Sequence, residues 1–147
     1  MKGIFHTGIT VSDLDASVNF YRDVLEFELV TGPTDVFEGE ELSTGVGVPG
    51  ASLRLALMRV GNSSLELHQY ISPKSQVDEP MPPNTLGFMH VAFEVENIDK
   101  EVKALKAKRV KFLSEINIVE EGPLEGWKWV YFKDPDGITL EMVEVLP

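Results

Sequence analysis

Two histidines and two glutamates occupy matching places in the two halves of this 147-residue chain and could together bind a metal ion. His6 lies in the stretch FHTGITVSDLDASVNFY, and His90 lies 84 residues later in MHVAFEVENIDKEVKAL, where the same pattern of apolar and acidic residues returns. Glu66 lies in SSLELHQY, near the end of the first half, and Glu141 lies in GITLEMVE, near the end of the second. Imidazole and carboxylate groups are ligands of divalent first-row metals, so these four side chains form a candidate N₂O₂ site.

Both glutamates are predicted to point away from the apolar core. Leucines flank Glu66, while Leu140 and Met142 flank Glu141. Because successive side chains of a strand point to opposite faces, each glutamate faces away from its apolar neighbours. If the sheets curl, that face is a concave interior, where a carboxylate needs a cation or a metal to offset its desolvation.

The elements that must position these residues are predicted to repeat along the chain. The first half is expected to contain a strand over residues 4–11, a helix that begins at a capping box formed by Ser12 and Asp15, and strands over 27–31, 53–60 and 64–71. In the second half, the strands are predicted over residues 86–95, 110–119, 128–133 and 138–145. Apolar stripes mark one helix in each half: Leu14, Val18, Tyr21 and Leu25 in the first, and Ile98, Val102 and Leu105 in the second.

This order predicts an α+β fold built from two βαβββ modules within one domain that spans residues 1–147. The modules cover about residues 1–72 and 85–147, and a proline-rich linker over 73–84 joins them. Neither module can close a core alone, so the two sheets are expected to pack together.

Composition excludes several classes of function. The net charge of −11 argues against binding to nucleic acid or to an anionic membrane surface, since both attract basic proteins. Without cysteine there is no disulfide and no thiolate chemistry. The first residues lack the features of a signal peptide, and no run reaches the length of a membrane span, so a cytoplasmic protein is expected.

The motifs resemble those of the vicinal-oxygen-chelate superfamily, which includes glyoxalase I, methylmalonyl-CoA epimerase, extradiol dioxygenases, and fosfomycin- and bleomycin-resistance proteins. The resemblance rests on four stretches that extend over nearly the whole chain: HTGITVSDLDASVNFYRDVLEFEL, LEL, GFMHVAFEVENID and VYFKDPDGITLEMVE. It implies a curved mixed sheet around a metal cleft, with one divalent ion (Zn, Ni, Co, Mn or Fe) bound by His6, Glu66, His90 and Glu141. It also implies a small-molecule substrate and a homodimer, with the site formed within one chain or across two chains.

The set of ligands leans toward glyoxalase I, which resembles this chain in having His, Glu, His and Glu at these positions. The implied reaction is the removal of a proton beside a metal-bound carbonyl, with Glu141 or Glu66 as the general base. Glyoxalase I also binds anionic glutathione, and this chain offers few basic residues for that purpose: Arg54, Arg59, Lys128 and Lys133.

Further residues are candidates for contact with a substrate. His68 shares a strand face with Glu66, where it could contact substrate, carry a proton, replace Glu66 as a ligand or form a simple cleft wall. Trp127 and Trp129 share a face before the last hairpin, as core or as cleft wall. Arg54 and Tyr70 are also candidates for the wall of the cleft.

Two other classes of function stay open. An extradiol dioxygenase would hold Fe(II) with His6, His90 and Glu141, and Tyr131 lies ten residues before Glu141, where those enzymes carry a catalytic tyrosine. Glu66 argues against this class, because a fourth protein ligand would occupy a position that oxygen and catechol need. The third class is a non-enzymatic protein that binds a small molecule such as an antibiotic.

Overall fold

A computed structural model of the chain describes residues 1–77 and 79–146. The chain divides into two units, Met1–Asp78 and Glu79–Pro147. Each unit contains one mixed sheet of five strands, which confirms the predicted α+β class. The single domain, the bounds of its modules and linker, and the curved sheet around a cleft stay predictions.

In the first unit, the described residues 1–77 form five strands and two α-helices. Its elements are β1 (Thr7–Thr10), α1 (Leu14–Asn19), a π-helical turn (Phe20–Val24), β2 (Glu28–Thr31), β3 (Phe37–Glu38), α2 (Glu40–Val46), β4 (Ser52–Val60) and β5 (Ser63–Ser72). The strand order is β1-β5-β4-β2, with β3 paired to β4. β1 runs parallel to β5, and the other pairs are antiparallel.

In the second unit, residues 79–146 repeat this arrangement with one α-helix. Its elements are β6 (Val91–Glu94), α3 (Ile98–Ala107), β7 (Lys111–Phe112), β8 (Asn117–Ile118), β9 (Lys128–Lys133) and β10 (Thr139–Glu144). The strand order is β6-β10-β9-β7, with β8 paired to β9. β6 runs parallel to β10, as β1 does to β5. No helix in the described parts of the chain is long and apolar enough to span a membrane.

The first strand pairs with the last strand in the same register in both units. Gly8 lies opposite Glu66, and Ala92, which is 84 residues after Gly8, lies opposite Glu141. The alternation predicted for the last strands is confirmed, since Leu65, Leu67, Leu140 and Met142 are all buried. Each glutamate is therefore on the face opposite the core of its own unit.

The two main helices begin and pack in the same way. The predicted stripe residues Leu14, Val18, Tyr21, Ile98, Val102 and Leu105 are buried, and Leu25 is half-buried. The capping box at Ser12 and Asp15 was wrong in detail, because Asp13 is the N-cap of α1 and its side chain accepts a hydrogen bond from the backbone N–H of Ala16. Asn97 caps α3 through the N–H of Lys100.

The two helices end differently. After α3, Arg109 takes a left-handed conformation with φ 64°, and the N–H of Val110 donates to the carbonyl of Leu105, which is a Schellman motif. After α1, the π-helical turn intervenes before Glu26, which has φ 63°, and the N–H of Phe27 reaches back to the carbonyl of Tyr21. The two left-handed residues are 83 positions apart (109 − 26), whereas equivalent residues of the first strands, such as Gly8 and Ala92, are 84 positions apart. The first helix therefore contains one additional residue.

Other departures from the predicted elements are local. Both first strands are shorter than predicted and begin one residue after His6 and His90. The strand expected over residues 110–119 is two short strands, β7 and β8, on the same neighbour β9. The helix α2 and the strand β3 were not predicted, because the short helix has no buried residue and therefore no apolar stripe.

Candidate metal and substrate site

The first unit brings His6 and Glu66 into contact. His6 ends the segment that enters β1, and Glu66 is in the middle of the adjacent parallel strand β5. The Nε2 atom of His6 lies 3.1 Å from the Oε2 atom of Glu66. The exposed fractions of the two side chains are 37% and 22%, so both can reach a small ligand. We call these residues the first His–Glu pair.

The second unit brings His90 and Glu141 into the equivalent contact. His90 immediately precedes β6, and Glu141 lies on the adjacent parallel strand β10. The Nε2 atom of His90 lies 2.8 Å from the Oε2 atom of Glu141, within hydrogen-bond distance. We call these residues the second His–Glu pair. Equal strand register therefore places one imidazole against one carboxylate twice in the chain.

The donor atoms of each pair have a spacing that suits two ligands of one metal ion. Two ligand atoms that each lie about 2.1 Å from a metal are about 3.0 Å apart at a right angle and about 3.4 Å apart at the tetrahedral angle. The measured distances of 3.1 Å and 2.8 Å are close to the right-angle value. Over residues 1–77 and 79–146, no three or more His, Cys, Asp or Glu side chains are arranged to hold one ion. Each pair by itself supplies two donors, and a complete metal site needs more.

His68 joins the first His–Glu pair. Its Nε2 atom lies 3.2 Å from the same Oε2 atom of Glu66 that contacts His6. In the second unit, Val143 occupies the position of His68: Val11 and Val95, which are 84 residues apart, donate their backbone N–H groups to the carbonyls of His68 and Val143. The two glutamates therefore have different neighbours, although the strands around them pair in the same way.

Aromatic side chains surround the second His–Glu pair. Tyr131 lies opposite Glu141 on β9, and its ring packs edge-to-face against those of His90 and Trp129, each with a centroid distance of 5.2 Å. The ring of Phe88 stacks on that of His90, with a centroid distance of 6.3 Å. Burial and, to a smaller extent, the charge of Glu141 raise the pKa of Tyr131 above its ordinary value, so its phenol stays neutral and can donate a hydrogen bond.

The four basic residues considered for anion binding all contact groups of the protein itself. Arg54 donates to the carbonyl oxygen of Thr34 at 3.0 Å and to Asp15 at 2.8 Å, and this hydrogen bond raises the pKa of Arg54 and lowers that of Asp15. The other three contacts are Arg59 with Glu28 at 3.6 Å, Lys128 with Asp99 at 2.9 Å, and Lys133 with the hydroxyl of Thr139 at 2.7 Å. The hydrogen bond with Asp99 also raises the pKa of Lys128.

Two candidates from the sequence remain, Tyr70 and Trp127. Tyr70 is half-buried on β5, and Trp127 precedes β9 in the chain.

Sequence reasoning missed two useful neighbours. Phe88 was missed, although an aromatic residue two positions before His90 could have indicated a stacked ring. Gln69 was also missed: its side chain accepts from the N–H of Leu14 and donates to the carbonyl of Ser12, which fixes the start of α1 on β5.

Comparison with known proteins assigns nearly the whole chain to one family. The family model of the Glyoxalase/Bleomycin resistance protein/Dioxygenase superfamily matches residues 3–142. A 2-epi-5-epi-valiolone epimerase from an Actinomyces species is 31% identical over 146 residues, which cover 97% of this chain and 79% of the relative. The mitochondrial methylmalonyl-CoA epimerase of Mus musculus is 31% identical over 111 residues, which cover 75% of this chain and 55% of that protein.

A solved structure of a glyoxalase family protein from Bacillus cereus has a similar fold. It superposes with a TM-score of 0.81 at 24% identity and covers all of this chain and 96% of the other. At this identity the likeness concerns the fold.

Proposed function

The chain belongs to the glyoxalase/bleomycin resistance protein/dioxygenase superfamily, and we propose that it is a divalent-metal-dependent enzyme of the lyase/isomerase class that moves a proton beside a carbonyl group. One observation supports this proposal most strongly: each unit places a histidine and a glutamate in contact through the same strand register. Two relatives named as epimerases also support proton transfer at carbon, because an epimerase inverts one carbon centre.

Under this proposal His6, Glu66, His90 and Glu141 bind one divalent ion. Both pairs come from one chain, or a second copy of the chain supplies one of them in a homodimer. When bound, the metal supplies a Lewis acid that polarises two neighbouring oxygens of a carbonyl substrate and makes the adjacent C–H group more acidic.

The protein's own residues then divide the remaining work. The two imidazoles need only hold the metal ion in place. One carboxylate stays in place, and the other accepts the proton from the carbon beside the carbonyl. Return of that proton to the opposite face of the carbon inverts its configuration, while return to the neighbouring carbon gives an isomer. Two glutamates with different neighbours suit this division, since one contacts His68 and the other lies opposite Tyr131.

Exchange of the substrate's α-hydrogen with solvent deuterium tests this function. We expect the metal-loaded enzyme to catalyse exchange on at least one of three substrates: a hemithioacetal, a 2-methyl-acyl thioester or a cyclic hydroxyketone. Glu66→Gln or Glu141→Gln should retain metal and slow the exchange by about 10²–10⁴-fold, because a general base acts in the transition state. Glu28→Gln, which changes an exposed glutamate on β2, is the control and should exchange at the wild-type rate. No exchange on any of the three substrates would contradict the proposal.

A second candidate function is extradiol ring cleavage, which the position of Tyr131 favours. The ring of Tyr131 contacts that of His90, and Tyr131 lies opposite Glu141 in the sheet. A neutral phenol is therefore available beside two of the three ligands that such an enzyme would use. Oxygen uptake by the Fe(II)-loaded protein in the presence of a catechol, abolished by Tyr131→Phe, would support this function. Saturable binding of a small molecule without either reaction would support a non-enzymatic binding protein.

A further inference from the structure

We propose that Lys111 and Lys133 bind a phosphate group on the sheet face that carries Glu141, with Thr139 as a positioning residue. We call the two lysines the lysine pair. The phosphate is part of the substrate or is free inorganic phosphate, and a matched pair of substrates separates these two sources. The assignment to the substrate rests on the proposed function, whereas the anion site itself does not.

The first argument is that the two lysines lie directly opposite each other on adjacent antiparallel strands. Lys111 on β7 pairs with Lys133 on β9, and the next pair, Phe112 with Phe132, packs ring against ring on the core side. Residues directly opposite each other share a face, so both ammonium groups lie on the side away from the core. Like charges in this arrangement destabilise a sheet. A chain with 13 basic and 24 acidic residues nevertheless places two cations here.

The second argument is that the first unit neutralises the equivalent position. Arg59 corresponds to Lys133, because each lies opposite the residue two positions before the glutamate of its own His–Glu pair: Ser64 for Arg59 and Thr139 for Lys133. On the next strand, Arg59 lies opposite Glu28 and forms an ion pair with it at 3.6 Å. The fold is therefore built with an acidic residue where the second unit has a second lysine, which indicates that the second lysine serves a purpose other than folding.

The third argument is that a neutral partner holds the ammonium group of Lys133 in place. Its Nζ atom donates to the hydroxyl of the buried Thr139 at 2.7 Å. This hydrogen bond uses one of three N–H groups and leaves two for a ligand. Within the described parts of the chain, neither member of the lysine pair forms an ion pair with a carboxylate. The other three basic residues of β4 and β9 each do so: Arg54, Arg59 and Lys128.

Protection of a sheet edge does not account for the lysine pair. β7 is an edge strand, where a lysine hinders unwanted pairing with another chain. Lys133 has no such edge to protect, because β9 lies between β7 and β10. The local charge is also positive, since the segment KAKRVK over residues 106–111 contains four of the 13 basic residues. An anion is therefore attracted to this end of the sheet although the whole chain is negative.

The location and spacing of the lysine pair suit a phosphate on a substrate that reacts at Glu141. Thr139 precedes Glu141 by two residues on β10, so the site lies about 7 Å along the sheet from one of the two proposed bases. The Cβ atoms of directly opposite residues are about 5 Å apart. Two charge-assisted hydrogen bonds of about 2.8 Å to one phosphate span that distance. Two ammonium groups also balance the charge of nearly −2 that a phosphate monoester carries at neutral pH.

Protection against thermal unfolding by inorganic phosphate tests the site without turnover. With the zinc-loaded full chain at an ionic strength held constant with sodium chloride, we expect the Tm to rise with phosphate concentration and to saturate, because a ligand of the folded state stabilises it. Lys133→Gln should weaken phosphate binding by about tenfold or more, since it removes a charge-assisted hydrogen bond. Lys103→Gln removes the same charge from an exposed position of α3 and is the matched control, with phosphate affinity unchanged. Equal phosphate affinity in Lys133→Gln and the wild type would overturn the inference.

Lys111→Glu is the second variant, because it introduces the acidic residue that the first unit has at this position. We expect it to abolish the protection by phosphate. In the absence of phosphate it should raise the Tm by about 1–3 °C, since an ion pair replaces the repulsion between the strands. A lower Tm together with retained protection would give the lysine pair a purely structural role and would overturn the inference.

Deuterium exchange on two matched substrates identifies the source of the phosphate. Dihydroxyacetone phosphate and dihydroxyacetone differ only in the phosphate group. If the substrate carries the phosphate, Lys133→Gln should raise KM for the ester by about tenfold with little change in kcat, and should leave exchange on dihydroxyacetone unchanged. Protection by phosphate with an equal KM for the ester in both proteins would assign the site to free phosphate.

The anion site and the proposed function fail in different experiments. Protection by phosphate that depends on Lys133, with no exchange on any substrate, would refute the proposed function and leave the anion site standing. Exchange on a carbonyl substrate without saturable protection by phosphate would refute the anion site and leave the proposed function standing.

Discussion

Gly8 lies directly opposite Glu66 in the parallel pairing of β1 with β5, where the second unit has Ala92 opposite Glu141. A Cβ atom at Gly8 would lie 3.5 Å from Cε1 of His68, which is an ordinary van der Waals contact. We therefore expect Gly8→Ala to raise the free energy of unfolding by about 0.4–1 kcal/mol, because alanine restricts the unfolded chain. Urea denaturation measures this change.

Gly32→Ala is the matched comparison and should have the opposite effect. A Cβ atom there would lie 2.5 Å from the carbonyl oxygen of Leu55 and 2.9 Å from Cα of Ala56, and the residue has φ +86°. We expect a loss of about 1–3 kcal/mol in the free energy of unfolding, since backbone atoms on β4 would have to move. Equal stability of the two variants would contradict the close approach of Gly32 to β4.

Removal of a histidine from either His–Glu pair should reduce metal binding. We expect His6→Ala and His90→Ala each to lower metal affinity by about tenfold or more, because each deletes one proposed ligand. His68→Val is the control, since the second unit has Val143 at this position, and it should leave metal content nearly intact. Elemental analysis after dialysis gives the measurement. Full metal content in the protein that carries both alanine changes would refute the four-ligand site.

Arg54 is expected to contribute to stability rather than to substrate binding. Its side chain joins β4 to the Thr34 carbonyl and to Asp15 in α1. Arg54→Ala should lower the free energy of unfolding by about 1–2 kcal/mol through the lost hydrogen bond to the carbonyl and the lost packing of its stem. The affinity for substrate should be unchanged in the same protein, and a large loss of affinity at unchanged stability would show that Arg54 binds substrate.

The contribution of Asp15 to stability should depend on pH in a defined direction. Arg54 makes the pKa of Asp15 lower in the folded chain than in the unfolded chain, so the stabilisation is present at neutral pH and is lost as the pH falls through the folded pKa. Asp15→Asn should therefore unfold at lower urea concentration than the wild type at pH 7, and the difference should shrink below about pH 3. The effect is small, because the side chain of Asp15 is 61% exposed.

The end of α3 offers a stabilising change. Arg109 has φ 64°, which glycine adopts without the steric cost that a Cβ atom imposes. Arg109→Gly should raise the free energy of unfolding by about 0.5–1 kcal/mol, whereas Lys108→Gly, at the neighbouring C-cap with φ −81°, should lower it. Thermal unfolding of the two variants measures both changes in stability. A loss of stability in both variants would contradict the Schellman motif.

The parts of the fold that follow from apolar periodicity could be predicted from the sequence. The stripes of α1 and α3 and the alternation around Glu66 and Glu141 are buried as expected. The helix α2 and the π-helical turn could not be predicted, because neither has a periodic apolar pattern of its own. The strands begin after the histidines rather than before them, since a pattern of apolar residues does not reveal where pairing with a neighbour starts.

For the candidate site, matching positions in the two halves indicated the two histidines and the two glutamates, but they did not predict which histidine contacts which glutamate. Sequence alone could not reveal contacts that depend on distant strands, such as the hydrogen bond between Arg54 and Asp15, which are 39 positions apart. It also gave no sign that Glu144 accepts a hydrogen bond from the N–H of Ile98 at the start of α3.

The π-helical turn of the first unit shows where this fold tolerates a change in chain length. An insertion within a strand would turn every following side chain to the other face and would carry Glu66 into the core. The additional residue is instead taken up inside a helix, between Tyr21 and Glu26, and the strands after it keep the pairing seen in the second unit. Sequence alignments of the two halves should therefore place a one-residue gap at this turn, and insertion libraries should find it permissive.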